Sequence, residues 1–187
     1  MIHDNELVDK LSELPRRPFR GAVFRATGMS VDPTAASVNG GRWSPRPHRD
    51  WDVPTLYTSL QREGALSELC SFLADFTPVP KGRLIKVTRL DITLHEAVHL
   101  EPGDLSRLGV DMAQYGRRDY TRTQQIGAAL AFLEADGLVA PSARWRCDNV
   151  MVFQDNHDVI NNIEVGPEEA LDWRAWAETN GILPRTP

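Results

Sequence analysis

Residues 55–75 read TLYTSLQREGALSELCSFLAD. Thr55 to Ser59 reads as a strand, whereas from about Arg62 to Asp75 the apolar residues Ala65, Leu66, Leu69, Phe72 and Leu73 recur on one helical stripe that continues to Phe76, with Glu68 near its inner edge. Upstream, Ala22-Val23-Phe24-Arg25 reads as another strand. The segment between the two strands, 26–54, is rich in Gly, Pro, Ser and Asn and holds Gly40-Gly41-Arg42-Trp43. Connections of that length in compact domains are usually functional or disordered. Arginine offers a planar fork of donors matched to phosphate oxygens, and glycines let backbone amides approach a pyrophosphate without a Cβ in the way. The residue types of 25–68 therefore suit an anionic ligand with an aromatic head, of which a dinucleotide is the obvious candidate.

Further out, Asp4 to Leu14 places Leu7, Val8, Leu11 and Leu14 at helical spacing behind an Asp cap and stops at Pro15. Arg83 to Leu90 alternates as a half-buried strand and gives way to a less regular passage through Pro102. A helix is predicted from about Asp119 to Asp136, with Ile126, Ala129, Leu130 and Leu133 inward and Gly137 as its stop. Gly137 to Arg144 reads as a turn-rich segment around Pro141-Ser142, followed by strands at Asn149–Phe153 and Val159–Val165. A last helix is expected to begin at Pro167, carry Trp173 and Trp176, and end near Gly181. Strands scattered among helices, without regular βαβ alternation or a GxGxxG turn, predict an α+β fold rather than a dinucleotide-binding α/β sheet.

With 187 residues, 41% of them hydrophobic and 25% charged, the chain suffices for one ordinary domain, 1–187. Its net charge of -5 argues against an overall basic field for nucleic acid, so local arginines must meet any anion. Cys70 and Cys147 stand apart without metal or redox spacing and read as reduced thiols. The start, Met1-Ile2-His3-Asp4-Asn5-Glu6, lacks the features of a secretory leader, and no apolar run approaches a membrane span. A cytoplasmic location and no membrane partner are expected.

His95-Glu96-Ala97-Val98-His99 matches HExxH, in which two histidines one helical turn apart bind zinc and the glutamate acts as base. That chemistry needs a helix. Here the preceding alternation favours extended structure, Pro102 follows closely, and Leu100-Glu101-Pro102-Gly103 supplies no third ligand. No metal site is therefore expected, and a zinc metalloprotease is the weakest of the readings.

The order Arg25, Gly40-Gly41-Arg42-Trp43, Tyr57, Glu68 within Ala65-Leu66-Ser67-Glu68, and Pro141-Ser142 resembles the RES family, over residues 20–155, with 1–19 and 166–187 as flanking helices. Ser44 departs from the family pattern, where an asparagine commonly follows the tryptophan. The resemblance implies a mixed, ADP-ribosyltransferase-like β-sheet core flanked by helices, with NAD as substrate and no bound prosthetic group. It implies a toxin of a toxin–antitoxin pair that breaks the nicotinamide–ribosyl bond, by hydrolysis or phosphorolysis. The alternative is a protein ADP-ribosyltransferase with a protein acceptor. A cognate antitoxin, a small helical DNA-binding protein, comes with the same resemblance, which is also compatible with a homodimer.

Cleaving that bond expels neutral nicotinamide and leaves an oxocarbenium-like ribose, which a carboxylate stabilises. Glu68 takes that role in this reading, with Arg25 and Tyr57 as its catalytic companions. Arg25, Gly41, Arg42, Trp43, Tyr57 and Ser142 form the expected NAD-binding set. The arginines would clamp pyrophosphate, and Tyr57 would offer a ring and a hydroxyl to nicotinamide or ribose. Arg46, His48 and Arg49 would face the adenosine end or an acceptor. Taken singly, each has a structural reading: Tyr57 a strand aromatic, Trp43 a loop anchor, Ser142 a turn former, Glu68 an ion-pair partner of Arg25 or Arg42. A non-catalytic nucleotide-binding protein uses the same residues without turnover.

Overall fold

A computed structural model describes residues 4–37, 39–48, 52–81 and 84–184; Arg49, Arg83 and Met1 to His3, read above, lie outside them. The chain runs α1 (Asn5–Ser12), β1 (Arg16–Gly28), β2 (Thr55–Ser59), α2 (Arg62–Ala74), β3 (Leu84–His99), α3 (Pro102–Arg107), α4 (Thr121–Phe132), β4 (Gly137–Pro141), β5 (Asp148–Phe153), α5 (Val159–Asn162), β6 (Ile163–Asp172) and α6 (Trp173–Thr179). The strands join in one sheet ordered β1-β2-β5-β4-β3-β6, parallel between β3 and β4 and antiparallel elsewhere. A second pairing of β1, along β3 from Arg16 opposite Val98 to Gly28 opposite Ile85, curls this sheet back on itself. The expected α+β class with a mixed sheet and flanking helices is what the chain adopts.

Apolar side chains fill three cores, and their partition follows strand alternation. Val23, Leu56, Leu90, Ile92, Val150 and Val152 pack on the inner face of the curled sheet. The other face divides between the α1 and α4 side, with Leu7, Leu11, Ile126, Leu130, Leu138 and Phe153, and the α2 and α6 side, with Leu66, Cys70, Ile85, Val87, Trp173 and Ala177. α1 begins where the Asp4 carboxylate accepts the Glu6 and Leu7 amides, and it buries Leu7 and Leu11, one turn apart. α6 thus packs on the chain's own core.

Three predicted elements are corrected. Residues 167–172, expected as the start of a helix, belong to β6, whose pairing with Leu84–Ile92 of β3 supplies that strand's outer hydrogen bonds. Tertiary pairing overrides the helix propensity of Glu168-Glu169-Ala170-Leu171. Gly137–Pro141, expected as turn, is the short buried strand β4 between β3 and β5. Val159–Asn162, expected as strand, is a single helical turn.

The HExxH residues lie in β3. Four residues of strand separate His95 from His99 by about 13 Å, too far to share an ion. The buried Asp136 carboxylate accepts the His95 and Glu96 amides at 2.6 and 3.0 Å, which explains an acidic residue in this core. Among the described residues, no group of three or more His, Cys, Asp or Glu is arranged to hold a metal. No helix of the described residues is long and apolar enough to cross a membrane.

Candidate active site

Glu68 stands in the middle of α2, whose neighbours Ala65, Leu66, Ser67 and Cys70 are buried, so the helix carries the carboxylate on a packed base. Its Oε1 accepts two neutral donors, the Ser142 hydroxyl at 2.8 Å and the Asn149 Nδ2 amide at 3.0 Å. Both donors are themselves held. Asn149, on β5, lies directly opposite Ser59 of β2, and its Oδ1 accepts the Ser59 hydroxyl at 2.5 Å. Ser142 follows β4, and its Oγ accepts the amides of Arg144 and Trp145 at 3.1 and 3.2 Å while its own amide reaches the Cys147 carbonyl. Among the described residues Glu68 has no ion pair with Arg25 or Arg42, and Oε2 has no hydrogen-bond partner. The carboxylate is oriented through one oxygen and its charge is not spent on a cation.

Arg42 packs on two aromatic rings, its guanidinium carbon 4.6 Å from the centroid of Tyr115 and 4.6 Å from that of Tyr120. The two rings stabilise the cation through their π faces and leave its N–H donors for hydrogen bonds. Nη2 donates to the Arg117 carbonyl at 3.3 Å, and its other in-plane donors have no partner among the described residues. This is a fork ready for a bidentate anion.

Two close approaches press the Arg42 loop into place. A Cβ on Gly41 would come within 2.6 Å of the Tyr57 hydroxyl, and a Cβ on Gly127 of α4 would run into the Trp43 carbonyl. The Trp43 indole is 1% exposed in the core beside Ile126 and Ala129, a burial whose loss costs about 3–5 kcal/mol in comparable truncations. This burial favours the loop-anchor reading of Trp43 over a direct ligand contact. The Tyr57 hydroxyl accepts the Trp43 amide at 3.1 Å and lies 2.8 Å from the Ser44 hydroxyl, so it too is engaged by the loop rather than by an open site. Burial pushes this phenol up to about 12. Gln124 of α4 adds a bond from Nε2 to the Gly41 carbonyl at 2.8 Å.

The raised Tyr57 value makes a pH prediction. A phenol whose folded value lies above its ordinary 10 stabilises the fold fully below pH 10 and loses that contribution as the pH climbs towards 12. Ultraviolet titration is expected to show a tyrosine ionising near pH 12 that disappears in Tyr57→Phe; a normal titration near 10 in that difference would contradict the loop geometry.

Arg25 lies one residue past Phe24, whose pairing with Ser59 is the described register between β1 and β2. Its Nη1 donates to the Pro33 carbonyl at 2.8 Å. Burial lowers its pKa to about 10, opposed by nearby Asp32, and this leaves it cationic at neutral pH. Arg25 makes no hydrogen bond or ion pair with the Glu68 cluster among the described residues, whereas Glu68, Ser142 and Asn149 converge, with Arg42 reaching them through Tyr115. Arg46 and His48 are exposed on the same loop.

Asn149, Ser59, Tyr115, Tyr120 and Gln124 escaped the sequence reading. One signal was available: the chain has three tyrosines, and all of them, Tyr57, Tyr115 and Tyr120, meet at the Arg42 loop. A separate groove beside β6, lined by Arg20, Asp91, Asn161 and Glu164, shares no residue with this cluster.

Comparison with known proteins places these features in a family. The RES domain family model matches residues 13–174. The probable NAD(+) phosphorylase Rv3189 of Mycobacterium tuberculosis is 30% identical over 149 residues, 79% of this chain and 71% of that protein. The crystal structure of the M. tuberculosis MbcT-MbcA toxin-antitoxin complex contains a chain with the same fold, at TM-score 0.77 and 17% identity over 95% of this chain and 98% of that one. The chain belongs to the RES domain family.

Proposed function

We propose that this protein consumes NAD by breaking the bond between nicotinamide and ribose, and that it does so as the toxin of a toxin–antitoxin pair. The observation that carries the reading is the state of Glu68: a carboxylate aimed by two neutral donors, unpaired with any cation among the described residues, and with Oε2 open. A cation would cancel the charge the transition state needs; neutral donors orient it without cancelling it. As C1′ parts from the nicotinamide nitrogen, positive charge spreads over the ribose ring, and the bonding pair leaves with neutral nicotinamide. Glu68 faces that developing charge and accepts hydrogen bonds from ribose hydroxyls. Arg42, and Arg25 on β1, hold the pyrophosphate, while Tyr57 and Trp43 fix the loop from which Arg42 projects.

The relative's name favours inorganic phosphate as the acceptor. A phosphate oxygen then bonds to C1′, giving ADP-ribose 1″-phosphate and nicotinamide; with water the products are ADP-ribose, nicotinamide and a proton. A cytoplasmic location follows from NAD as substrate, and the toxin–antitoxin title of the structural neighbour supports a protein antitoxin as partner.

The test is mass spectrometry of purified protein incubated with NAD, with and without phosphate. Nicotinamide with ADP-ribose 1″-phosphate, formed only when phosphate is present, is the expected result. ADP-ribose alone would make the protein a hydrolase, a mass increase on an added protein would make it an ADP-ribosyltransferase, and intact NAD would overturn the reading.

A further inference from the structure

Tyr115 touches both halves of the candidate site. The Arg42 guanidinium carbon lies over its ring, 4.6 Å from the ring centroid. Its hydroxyl donates to the Pro141 carbonyl at 2.7 Å, the peptide that leads directly into Ser142. Ser142 in turn holds Glu68 at 2.8 Å. A single side chain thus spans from the anion-binding fork to the carboxylate, across segments 73 positions apart in sequence at Arg42 and Tyr115 and 26 apart at Tyr115 and Pro141.

The residue is built for rigidity. Tyr115 caps the short 3₁₀ turn Met112–Gln114, is 8% exposed, and packs in the core with Leu105 and Leu108. Its loop is also tied to the helix that carries Glu68: Arg118 pairs with Asp75 and donates from Nη2 to the Ser71 carbonyl at 2.9 Å. Tyr120, the second ring against Arg42, is only partly buried, whereas Tyr115 is fixed in the core. Burial holds the Tyr115 phenol well above its ordinary range.

We propose that Tyr115 is a positioning residue that couples substrate binding to catalysis: its ring sets the plane of Arg42 and its hydroxyl sets the turn that aims Glu68. The proposal rests on the NAD-cleaving reading above. It predicts a split that a residue serving only the core would not produce. Removing the hydroxyl alone loosens the Ser142 turn and slows the chemical step, while removing the ring also frees the arginine and weakens binding.

The experiment measures nicotinamide release by the purified wild type, Tyr115→Phe, Tyr115→Leu, Arg42→Ala and the Arg42→Ala/Tyr115→Leu double variant, with melting curves for each. Tyr115→Phe is expected to keep KM for NAD within about 2-fold while kcat falls about 5-fold, the loss of one net hydrogen bond. Tyr115→Leu is expected to raise KM about 5- to 30-fold in addition, the loss of a partly desolvated cation–π contact. In the Arg42→Ala background, Tyr115→Leu should leave KM where Arg42→Ala alone puts it. Equal changes of KM and kcat in Tyr115→Phe, or a Tyr115→Leu effect on KM that persists undiminished without Arg42, would overturn the coupling even with an active wild type. If Tyr115→Leu does not fold, Tyr115→Phe, which keeps the ring, decides through its KM against kcat split. A wild type that leaves NAD intact would overturn the coupling together with the reading beneath it.

Discussion

Glu68→Gln is expected to lower the rate of nicotinamide release about 100- to 1000-fold while the protein melts as the wild type does, the scale on which removal of one transition-state electrostatic partner acts. Glutamine keeps the length of the side chain, and its carbonyl oxygen can still accept from Ser142 and Asn149, which bond a single carboxylate oxygen. The site should therefore remain assembled. What disappears is the negative charge, and with it the acceptor at the Oε2 position, where an amide presents donors instead. Because the ground-state contacts of NAD run mainly to Arg42 and Arg25 in this account, KM should move little and the loss should fall on kcat. Thermal melting and single-turnover kinetics on the two proteins check both halves. A variant that folds and turns over within a few fold of wild type would remove Glu68 from the chemistry.

The second large effect is expected at a residue that touches no ligand. Gly127→Ala places a methyl group where the Trp43 carbonyl now sits. In an isolated helix the same change is favourable by about 1 kcal/mol. Here the neighbour is backbone, not the end of a flexible side chain, and α4 and the loop must separate; overpacking of this kind costs about 1–3 kcal/mol. The clash prevails. Its consequence extends past stability, because Trp43 is the residue next to Arg42 and its amide bonds the Tyr57 hydroxyl. Displacing the loop moves the arginine off the Tyr115 and Tyr120 rings. Gly127→Ala is expected to lower the melting temperature and to raise KM for NAD at least about 10-fold, the cost of losing one charge-assisted contact. Circular dichroism melts and steady-state kinetics read both; unchanged KM would show that the loop is not set by its contact with α4.

The sequence made part of this site legible and hid part of it, for physical reasons. β2 and α2 carry strong local signals, a strand rich in β-forming residues followed by a helical stripe, and the structure places them at Thr55–Ser59 and Arg62–Ala74. Glycines at 40 and 41 announced a loop under close approach. Residues 167–172 of β6 prefer helix locally, and only β3, far upstream, makes them a strand. Asn149 and Ser59 were invisible as a pair because their partnership is set by register between strands 90 residues apart. The Tyr115 and Tyr120 pair was hidden differently: it lies in an irregular segment without periodicity, and packing against a distant arginine leaves no pattern in either neighbourhood. Trp43, next to an arginine in a glycine-rich loop, looked like ligand chemistry, but a large aromatic one residue from a binding group serves equally to fix that group against a core.

Cellular NAD, measured after induction of the wild type beside Glu68→Gln at matched protein levels, tests the central claim most directly. The account predicts that NAD collapses and growth stops with the wild type, and that both hold steady with the variant. Stable NAD under the wild type while growth still stops would contradict it and direct the search to an ADP-ribosylated protein; an equal collapse with the variant would show that NAD is lost without the carboxylate on which the account rests.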